Sequence, residues 1–468
     1  MFEATQLIDG HQSNGASGRT LTVTDPRDGS PVTRVPVSTA ADIEAAVRTA
    51  REAAPEWAAT APAARAAALH AAADAIEAAA GELAGIMAAE MGKPVDGARE
   101  SIGAGVGTLR QYAELGPTHR GRTLAGDGAA IDLMAFRPRG VVAVITPWND
   151  PVAVACGLLG AALVTGNTVV HKPSERTPAT GGRLAALIHP HLPPGVLSVV
   201  HGDGPAGAAL AGSAVDLVAH VGSTAAGRSI AAACARTGAK ALLENGGSDP
   251  LIVDADVDPG WAAGQAALGA FVNSGQICVA VERIYAHRDV AGAFLDALTA
   301  EAATWGDRIG PLVDRRLRDT VHEQVRAAVR DGAALRHGGE IPDGPGAYYP
   351  PTVLSGCADD MAVMREETFG PVAPVATVDS FEEALGRAAD SPYGLAATVL
   401  TRSMSHAQRA WRELPVGTVK VNAVFGGAPG GAAHPRRGSG QGFGYGPELL
   451  DEMTVTGVVH LEAPPGGW

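Results

Sequence analysis

The run Gly140-Val-Val-Ala-Val-Ile-Thr146 is almost wholly apolar and leads directly into the rigid segment Pro147-Trp-Asn-Asp-Pro151. Segments of 13 to 23 residues, mostly of helical character, separate it from a series of similar runs. Those runs are Asn167–Lys172, Val196–His201, Val215–Val221 and Lys240–Glu244. This spacing is typical of βαβ units, and uniformly apolar strands indicate a parallel sheet covered on both faces. The sequence therefore predicts a doubly wound α/β fold that binds ligands at the carboxyl ends of its strands.

The segments upstream of this core differ in character. Residues 1–36 alternate turn formers with short β-like runs and predict an N-terminal ribbon. A helical block rich in alanine extends from Thr39 to about Leu115. We expect Pro55 and Pro62 to divide it into several helices, because proline removes a backbone donor.

Composition excludes several classes of protein. At 468 residues the chain is long enough for two or three domains, and its net charge of −14 argues against nucleic acid or an anionic membrane as a partner. The longest apolar run, Val152–Val164, is too short to span a bilayer. Four widely spaced cysteines suit neither a disulfide framework nor a zinc site. We read His189-Pro-His191 as a surface turn, expect no metal, and expect a soluble, cytoplasmic protein with no secretory signal.

Polar residues follow the first two strands of the predicted sheet. Asn149 lies in the proline-bounded turn, where its amide can donate a hydrogen bond to a ligand oxygen or simply form an Asx-turn. Lys172 and Glu175 end the second strand, where they can bind a ribose diol or form a solvated charged turn.

Two glycine patterns follow later strands. Gly202-Asp-Gly-Pro-Ala-Gly207 matches a dinucleotide fingerprint, but Pro205 removes an N–H group, so we read it as a structural turn. Gly222-Ser-Thr-Ala-Ala-Gly227 ends a strand and opens a helix, which favours phosphate binding at the free N–H groups. An ordinary strand-to-helix turn is the alternative.

The segment from Phe271 to Arg283 places Cys278 between a polar lead-in and an apolar strand, Val279 to Tyr285. A cysteine there can attack a carbonyl carbon when its surroundings lower the thiol pKa, or it can simply pack in the core. Glu244 ends the fifth strand of the sheet, and an acid at an apolar strand end has the raised pKa of a general base unless a salt bridge holds it.

Eight short motifs in one order resemble the NAD(P)-dependent aldehyde dehydrogenase superfamily. They are Pro147-Trp-Asn-Asp-Pro, Lys172-Pro-Ser-Glu, Gly222-Ser-Thr-x-x-Gly, Glu244-x-Gly-Gly, Gly275-Gln-Ile-Cys278, Glu366-Glu-Thr-Phe-Gly-Pro371, Tyr393-Gly-Leu395 and Gly417-Thr-Val-x-Val-Asn422. The resemblance implies that Cys278 attacks an aldehyde, that Asn149 and the Cys278 backbone N–H hold the oxyanion, and that Glu244 activates water to hydrolyse the resulting thioester.

The resemblance also implies a cofactor site and a substrate site. The implied cofactor residues are Thr146, Pro147, Trp148, Lys172, Ser174, Glu175, Gly222, Ser223, Gly227, Gly246, Glu367 and Phe369. The implied substrate residues are Asp150, Ile277 and Phe425. The expected cofactor is NAD, because Glu175 would repel a 2′-phosphate; NADP is the alternative.

The family's architecture implies a division of the chain. Residues 1–118 and 137–244 would form the NAD-binding domain, and residues 245–444 an α/β catalytic domain. Residues 119–136 and 445–468 would form a β oligomerisation arm that makes a homodimer or homotetramer.

Departures from the family's motifs surround the substrate. Asp150 replaces a bulky residue, Leu158 a lysine and Gly444 a second glutamate, so Glu244 is expected to depend on water alone. Arg436 and Arg437 favour an acidic semialdehyde as the substrate, whereas Asp150 favours an amine or a polyhydroxyl group. Two other functions stay open: a CoA-acylating dehydrogenase and a catalytically inactive nucleotide-binding relative.

Overall fold

The computed structural model describes residues 1–128, 130–426 and 431–464. The predicted ranges 119–136, 245–444 and 445–468 therefore each include residues that lie outside this description. Helices and mostly parallel sheets alternate along the chain, which confirms the predicted α/β class.

The secondary structure of the described residues follows in chain order. The strands are β1 (Phe2–Glu3), β2 (Gln6–Ile8), β3 (His11–Ser13), β4 (Thr20–Thr24), β5 (Pro31–Pro36), β6 (Arg122–Leu124), β7 (Ala130–Pro138), β8 (Val141–Ile145), β9 (Thr168–Lys172), β10 (Leu197–Val199), β11 (Leu217–Val221), β12 (Lys240–Glu244), β13 (Asp249–Val253), β14 (Val281–His287), β15 (Ala334–His337), β16 (Thr352–Ser355), β17 (Val372–Val378), β18 (Ala396–Leu400), β19 (Thr418–Val421), β20 (Gly440–Gln441) and β21 (Thr454–Glu462). The α-helices are α1 (Ala40–Ala59), α2 (Pro62–Ala78), α3 (Ala80–Met91), α4 (Val95–Leu115), α5 (Pro151–Val164), α6 (Pro178–Ile188), α7 (Gly204–Ala211), α8 (Thr224–Thr237), α9 (Pro259–Phe271), α10 (Arg288–Trp305), α11 (Arg315–Arg330), α12 (Ala362–Arg365), α13 (Phe381–Ala389), α14 (Met404–Glu413) and α15 (Glu448–Glu452).

The predicted apolar runs form one sheet with the order β20-β12-β11-β8-β9-β10-β2-β3. Its strands β12, β11, β8, β9 and β10 are parallel, while β20 and β2 pair antiparallel at the two sides. After β8 the chain adds β9 and β10 on one side of β8, and it then adds β11 and β12 on the other side of β8. The strand order therefore reverses between β8 and β11, which makes this position a topological switch point. Ligands bind outside the carboxyl ends of strands at such a point.

Both faces of this sheet are buried. Val142 and Val144 pack into a core with α2 to α6, whereas Val141 and Ala143 pack into a separate core with residues of α1, α7 and α8. Alternate residues of each strand thus face opposite helical layers. Both sets are buried, which is why the strands are apolar at every position.

The second large sheet has the order β15-β16-β17-β14-β13-β18-β19 and is parallel except for β15. A separate antiparallel sheet has the order β21-β7-β6. On that sheet Ile131 is 57% exposed and Val458 is 71% exposed, which is high for apolar side chains in strands.

The prediction that Pro55 divides the first helix is wrong, because α1 continues through it. Pro55 and Arg51 are both exposed, so the carbonyl that loses its partner faces water. Beyond the proline, Trp57 is buried and its Nε1 donates a hydrogen bond of 3.1 Å to the Leu163 carbonyl. Pro62 does begin a new helix, as predicted.

Helix α5 contains the longest apolar run of the sequence and is buried in the core. In the described part of the chain, no helix is both long enough and apolar enough to cross a membrane.

Candidate active site

Cys278 lies just before β14, in a loop with unusual backbone geometry. A 3₁₀ helix, Val272–Gly275, precedes it, and within that helix Asn273 (φ 51°) and Ser274 (φ 58°) adopt left-handed conformations. The Ser274 hydroxyl donates a hydrogen bond of 2.7 Å to the Gly310 carbonyl, which helps to hold this conformation. Such strain persists only where the surroundings determine it, so the position of the loop is well defined.

The predicted partner Asn149 reaches this loop from the end of β8. Its Nδ2 donates a hydrogen bond of 3.0 Å to the carbonyl of Gln276, two residues before Cys278. The amide keeps a second hydrogen for a ligand. Within the described residues, no acceptor pairs with the backbone N–H of Cys278. The structure thus holds the Asn149 amide on the loop of Cys278, two residues before the cysteine.

Glu244 ends β12 and lies within electrostatic reach of the Cys278 sulfur. Its Oε1 accepts a hydrogen bond of 3.1 Å from the Gly444 N–H, and burial raises the pKa of its carboxyl to about 8. A Cβ atom at Gly444 would lie 2.2 Å from Glu244 Cγ. The glycine therefore provides the space that the Glu244 side chain occupies, and a larger residue would displace it.

The thiol environment differs from the expectation of a lowered pKa. Burial, followed by the negative charges of Glu244, Asp249 and Glu367, raises the pKa of the Cys278 thiol to about 12. The Val279 N–H partly offsets these effects. A neutral thiol is the resting form because three carboxyl groups surround a partly buried sulfur.

The pKa values of these carboxyl groups are themselves raised by burial. Burial raises the pKa of Asp249 and of Glu367 to about 7 each. Glu282, beside them, accepts hydrogen bonds from the N–H groups of Thr368 (3.0 Å) and Phe369 (2.8 Å), and burial raises its carboxyl pKa well above the ordinary value.

Glu367 lies against the glycine pair that follows Glu244. Its Oε1 accepts a hydrogen bond of 3.2 Å from the Gly247 N–H. A Cβ atom at Gly246 would lie 2.2 Å from the Glu367 carboxylate, so only glycine allows this approach. The predicted cofactor residues Gly246 and Glu367 are therefore in direct contact.

An aromatic pair borders the same cleft. Phe369 has a left-handed backbone (φ 53°), and its ring meets the Trp148 ring edge-on with 5.5 Å between centroids. Arg176 lies over Trp148 at 5.2 Å from the ring centroid and forms an ion pair of 2.7 Å with Asp314. These contacts fix the turn that contains Pro147.

The end of β9 contains the predicted ribose-binding pair. Lys172 is buried, its Nζ donates to the Pro173 carbonyl at 3.2 Å, and burial lowers its pKa. Glu175 Oε2 lies 4.0 Å from the same Nζ and its side chain is partly exposed. Ser174 is buried, and its hydroxyl accepts a hydrogen bond of 3.3 Å from the Arg176 N–H. Thr146 Oγ1, on the neighbouring strand end, lies 2.9 Å from His171 Nε2.

The N-terminus of α8 follows β11, as predicted. Ser223 caps this helix by accepting a hydrogen bond of 3.3 Å from the Ala226 N–H. The Gly222 N–H is not free, because it donates to the Glu244 carbonyl at 3.0 Å. A Cβ atom at Gly227 would lie 2.0 Å from Asn245 Oδ1, so Gly227 allows the helix to pack against the loop after Glu244.

The predicted substrate residues lie in three separate segments. Asp150 begins α5 and accepts a hydrogen bond from the Ser101 hydroxyl, which in turn accepts one of 2.9 Å from Lys93 Nζ. Ile277 precedes Cys278 and is half-buried. Phe425 is half-buried, and its ring centroid lies 5.6 Å from Lys420 Nζ.

Two of the residues that depart from the family's motifs make contacts within the protein. Leu158 is buried in the core of the first sheet. The Arg437 guanidinium donates to the carbonyls of Ala389 and Ser391, so it stabilises a loop. Among the described residues, no cluster of histidine, cysteine and acidic side chains could hold a metal ion, and His189 and His191 lie in a short 3₁₀ helix.

The sequence interpretation missed Asp249 and Lys420. Both interact electrostatically with the Cys278 sulfur, although one is in β13 and the other in β19. The available signal was a charged residue inside an otherwise apolar strand, which is rare without a functional or structural partner.

The fold and this pocket can now be compared with known proteins. The aldehyde dehydrogenase family model matches residues 13–459. Lactaldehyde dehydrogenase of Escherichia coli (strain K12) is 33% identical over 97% of this chain and 98% of its own length. Betaine aldehyde dehydrogenase of Cereibacter sphaeroides (strain ATCC 17025 / ATH 2.4.3) is 37% identical over 90% of this chain and 89% of its own.

Solved structures agree with the sequence comparisons. A 3,6-anhydro-L-galactose dehydrogenase superposes with a TM-score of 0.95 and 32% identity, covering 98% of this chain and 100% of its own. Lactaldehyde dehydrogenase from Escherichia coli gives a TM-score of 0.95 with 33% identity, covering 99% of this chain and 100% of its own. The chain belongs to the aldehyde dehydrogenase family, and it is an oxidoreductase that acts on aldehydes.

Proposed function

We propose that the protein oxidises an aldehyde to a carboxylic acid through a thioester on Cys278, with a nicotinamide dinucleotide as hydride acceptor. The observation that carries this proposal is the electrostatic interaction of Glu244 with the Cys278 sulfur, together with the hydrogen bond of 3.0 Å from the Asn149 amide to the Gln276 carbonyl. The nucleophile, the general base and the oxyanion donor can then all act at one carbonyl group of the substrate.

In the first step Cys278 Sγ forms a bond to the aldehyde carbon, and the carbonyl oxygen takes the electron pair. The Asn149 amide and the Cys278 backbone N–H stabilise that oxyanion, each contributing about 3 kcal/mol in comparable sites. Because the resting thiol is neutral, its proton must leave in this step, to water or to an ionised carboxylate of the site that releases it to solvent before deacylation.

The cleft beside Cys278 suits a nicotinamide dinucleotide. The Gly246-Gly247 pair, which Glu367 contacts, the helix terminus at Ser223 and the Lys172–Glu175 pair follow the carboxyl ends of β12, β11 and β9 in one sheet. Within the described residues, the buried Thr224 hydroxyl in the first turn of α8 has no hydrogen-bond partner. The bound cofactor would accept hydride from the substrate carbon, which leaves the thioester.

We assign NAD as the preferred form of the cofactor. Glu175 carries a partly exposed carboxylate beside Lys172. The negative charge of this carboxylate would repel a 2′-phosphate bound there. Related structures contain both forms: the 3,6-anhydro-L-galactose dehydrogenase was solved with NAP, and a betaine aldehyde dehydrogenase from Staphylococcus aureus with NAD+.

Glu244 then completes the cycle by activating the water that hydrolyses the thioester. Its carboxyl has a pKa of about 8, so the ionised form is a stronger base than an ordinary glutamate. We therefore favour hydrolysis over transfer of the acyl group to CoA, and catalysis over nucleotide binding alone.

The domain division and the oligomer belong to the same proposal. We assign residues 1–118 and 137–244 to cofactor binding, 245–444 to catalysis, and 119–136 with 445–468 to an arm. The exposed apolar side chains on the β21-β7-β6 sheet support burial of that sheet against another copy of the chain, in a homodimer or homotetramer.

The proposal is tested by NADH or NADPH absorbance with a panel of aliphatic aldehydes, aminoaldehydes and semialdehydes, with and without CoA. We expect turnover without CoA, and faster turnover with NAD than with NADP. A rate that requires CoA would assign the acyl-transfer reaction instead. Dinucleotide binding without turnover of any aldehyde would indicate an inactive relative.

The pKa of Glu244 predicts a pH dependence of thioester hydrolysis. Only the ionised carboxylate accepts a proton from water, so the deacylation rate should fall about tenfold per pH unit below pH 8. The measurement is rapid-mixing kinetics, which separates an initial burst of NADH from the steady-state rate. A deacylation rate that does not change between pH 6 and pH 8 would contradict this role.

A further inference from the structure

Lys420 points towards the pocket of Cys278. In the second large sheet Lys420 of β19 pairs with Thr398 of β18, and Thr398 pairs with Leu251 of β13. Paired residues of parallel strands share one face, and Leu251 packs in the core that contains α9. The Asp249 carboxylate, at the start of β13, interacts electrostatically with Lys420. The end of α9 leads directly into the Cys278 loop.

The ammonium group of Lys420 contacts the loop that follows β19. Its Nζ donates a hydrogen bond of 2.6 Å to the Val424 carbonyl and lies 5.6 Å from the centroid of the Phe425 ring. Its charge interacts with the Asp249 carboxylate and with the Cys278 sulfur. The cation is therefore within electrostatic reach of the atom that attacks the aldehyde.

Lys420 has no ion-pair partner among the residues that the structure describes. No carboxylate oxygen there comes within 4.0 Å of its Nζ, whereas Lys240 forms a close ion pair with Glu452. Two of its three N–H donors remain after the bond to Val424. A half-buried cation with spare donors is costly unless an anion completes its environment.

The Asp150 carboxylate, which the sequence suggested for a cationic substrate, is already engaged. Asp150 accepts the Ser101 hydroxyl, and Lys93 donates to the same Ser101 oxygen. This arrangement weakens the earlier expectation that Asp150 selects a cationic substrate. Lys420 is then a cation with unused N–H donors within electrostatic reach of the Cys278 sulfur.

We infer that Lys420 determines specificity by binding an anionic group, a carboxylate, on the aldehyde substrate. This inference rests on the proposed oxidation at Cys278. A single ammonium matches the single charge of a carboxylate, and the Phe425 ring beneath it provides an apolar wall for the carbon chain. The substrate class is thus an aldehyde acid, in which the carboxylate is separated from the aldehyde by a short carbon chain.

The test compares 4-oxobutanoate with butanal and 5-oxopentanoate with pentanal, using the full-length protein and saturating NAD. In the wild type we expect kcat/KM for at least one aldehyde acid to exceed that of its matched alkanal at least tenfold. Lys420→Met should lower this ratio at least tenfold, and Lys420→Arg should retain part of it. The control Lys240→Met removes a distant cation and should leave the ratio unchanged.

A wild-type ratio near one for both pairs would overturn the inference while leaving aldehyde oxidation established. An equal decrease of the wild-type ratio in Lys420→Met and in Lys240→Met would also overturn the inference. A second measurement does not depend on turnover: calorimetry should show that butanedioate or pentanedioate binds at least tenfold tighter than the monocarboxylate of equal length. Tight dicarboxylate binding without oxidation of any aldehyde would instead refute the proposed function.

Discussion

Cys278→Ala is expected to abolish aldehyde oxidation, lowering kcat by at least about four orders of magnitude, because no other group can form the thioester. Dinucleotide binding should persist, since the contacts of Gly246 and Glu367 do not involve the sulfur. The rate is measured as NADH absorbance at high enzyme concentration, and binding by the quenching of tryptophan fluorescence.

Cys357→Ala is the matched control for this change. Cys357 is buried in a core on the other face of the second sheet, so the variant should retain the rate of the wild type. Substantial turnover by Cys278→Ala would show that another residue is the nucleophile. Loss of both turnover and folding in Cys278→Ala alone would assign the cysteine a packing role.

Glu244→Gln should produce the second large effect, a steady-state rate lowered about 10²- to 10⁴-fold. The amide cannot accept a proton from water, so the thioester accumulates. Rapid mixing should show a burst of NADH close to one equivalent per active site, followed by slow turnover. Mass spectrometry of the quenched protein should find the acyl group on Cys278.

The distinguishing control is Glu367→Gln. Glu367 contacts Gly246 and Gly247, where the cofactor is proposed to bind, so its loss should slow the burst itself. If Glu244→Gln also lacks a burst, then Glu244 acts before hydride transfer, in line with the removal of the Cys278 proton. The two variants therefore separate acylation from deacylation.

Much of the fold could be predicted from the sequence because its strands are short, uniformly apolar and bounded by glycine or proline. Strand-end residues such as Asn149 and Glu244 follow from that pattern, since parallel strands present their carboxyl ends at one edge. Pro55 was misjudged because the cost of proline depends on whether the freed carbonyl faces water, and sequence alone does not reveal this.

The surroundings of Cys278 were beyond sequence reasoning for a different reason. Asp249 and Glu367 approach the sulfur from separate strands and loops, and their effect on the thiol depends on burial and distance. Lys420 occupies the variable position of a motif, where pattern alone assigns no role. These features arise only when the second sheet closes over the loop at Cys278.

The raised pKa of Cys278 has a consequence for the enzyme under oxidative stress. Because burial raises the pKa of this thiol to about 12, the thiolate is a small minority of the resting enzyme at neutral pH. Peroxides and alkylating agents react with the thiolate, so the resting enzyme resists conversion to sulfenic acid. The carboxyl groups that delay activation of the nucleophile thereby also protect it between catalytic cycles.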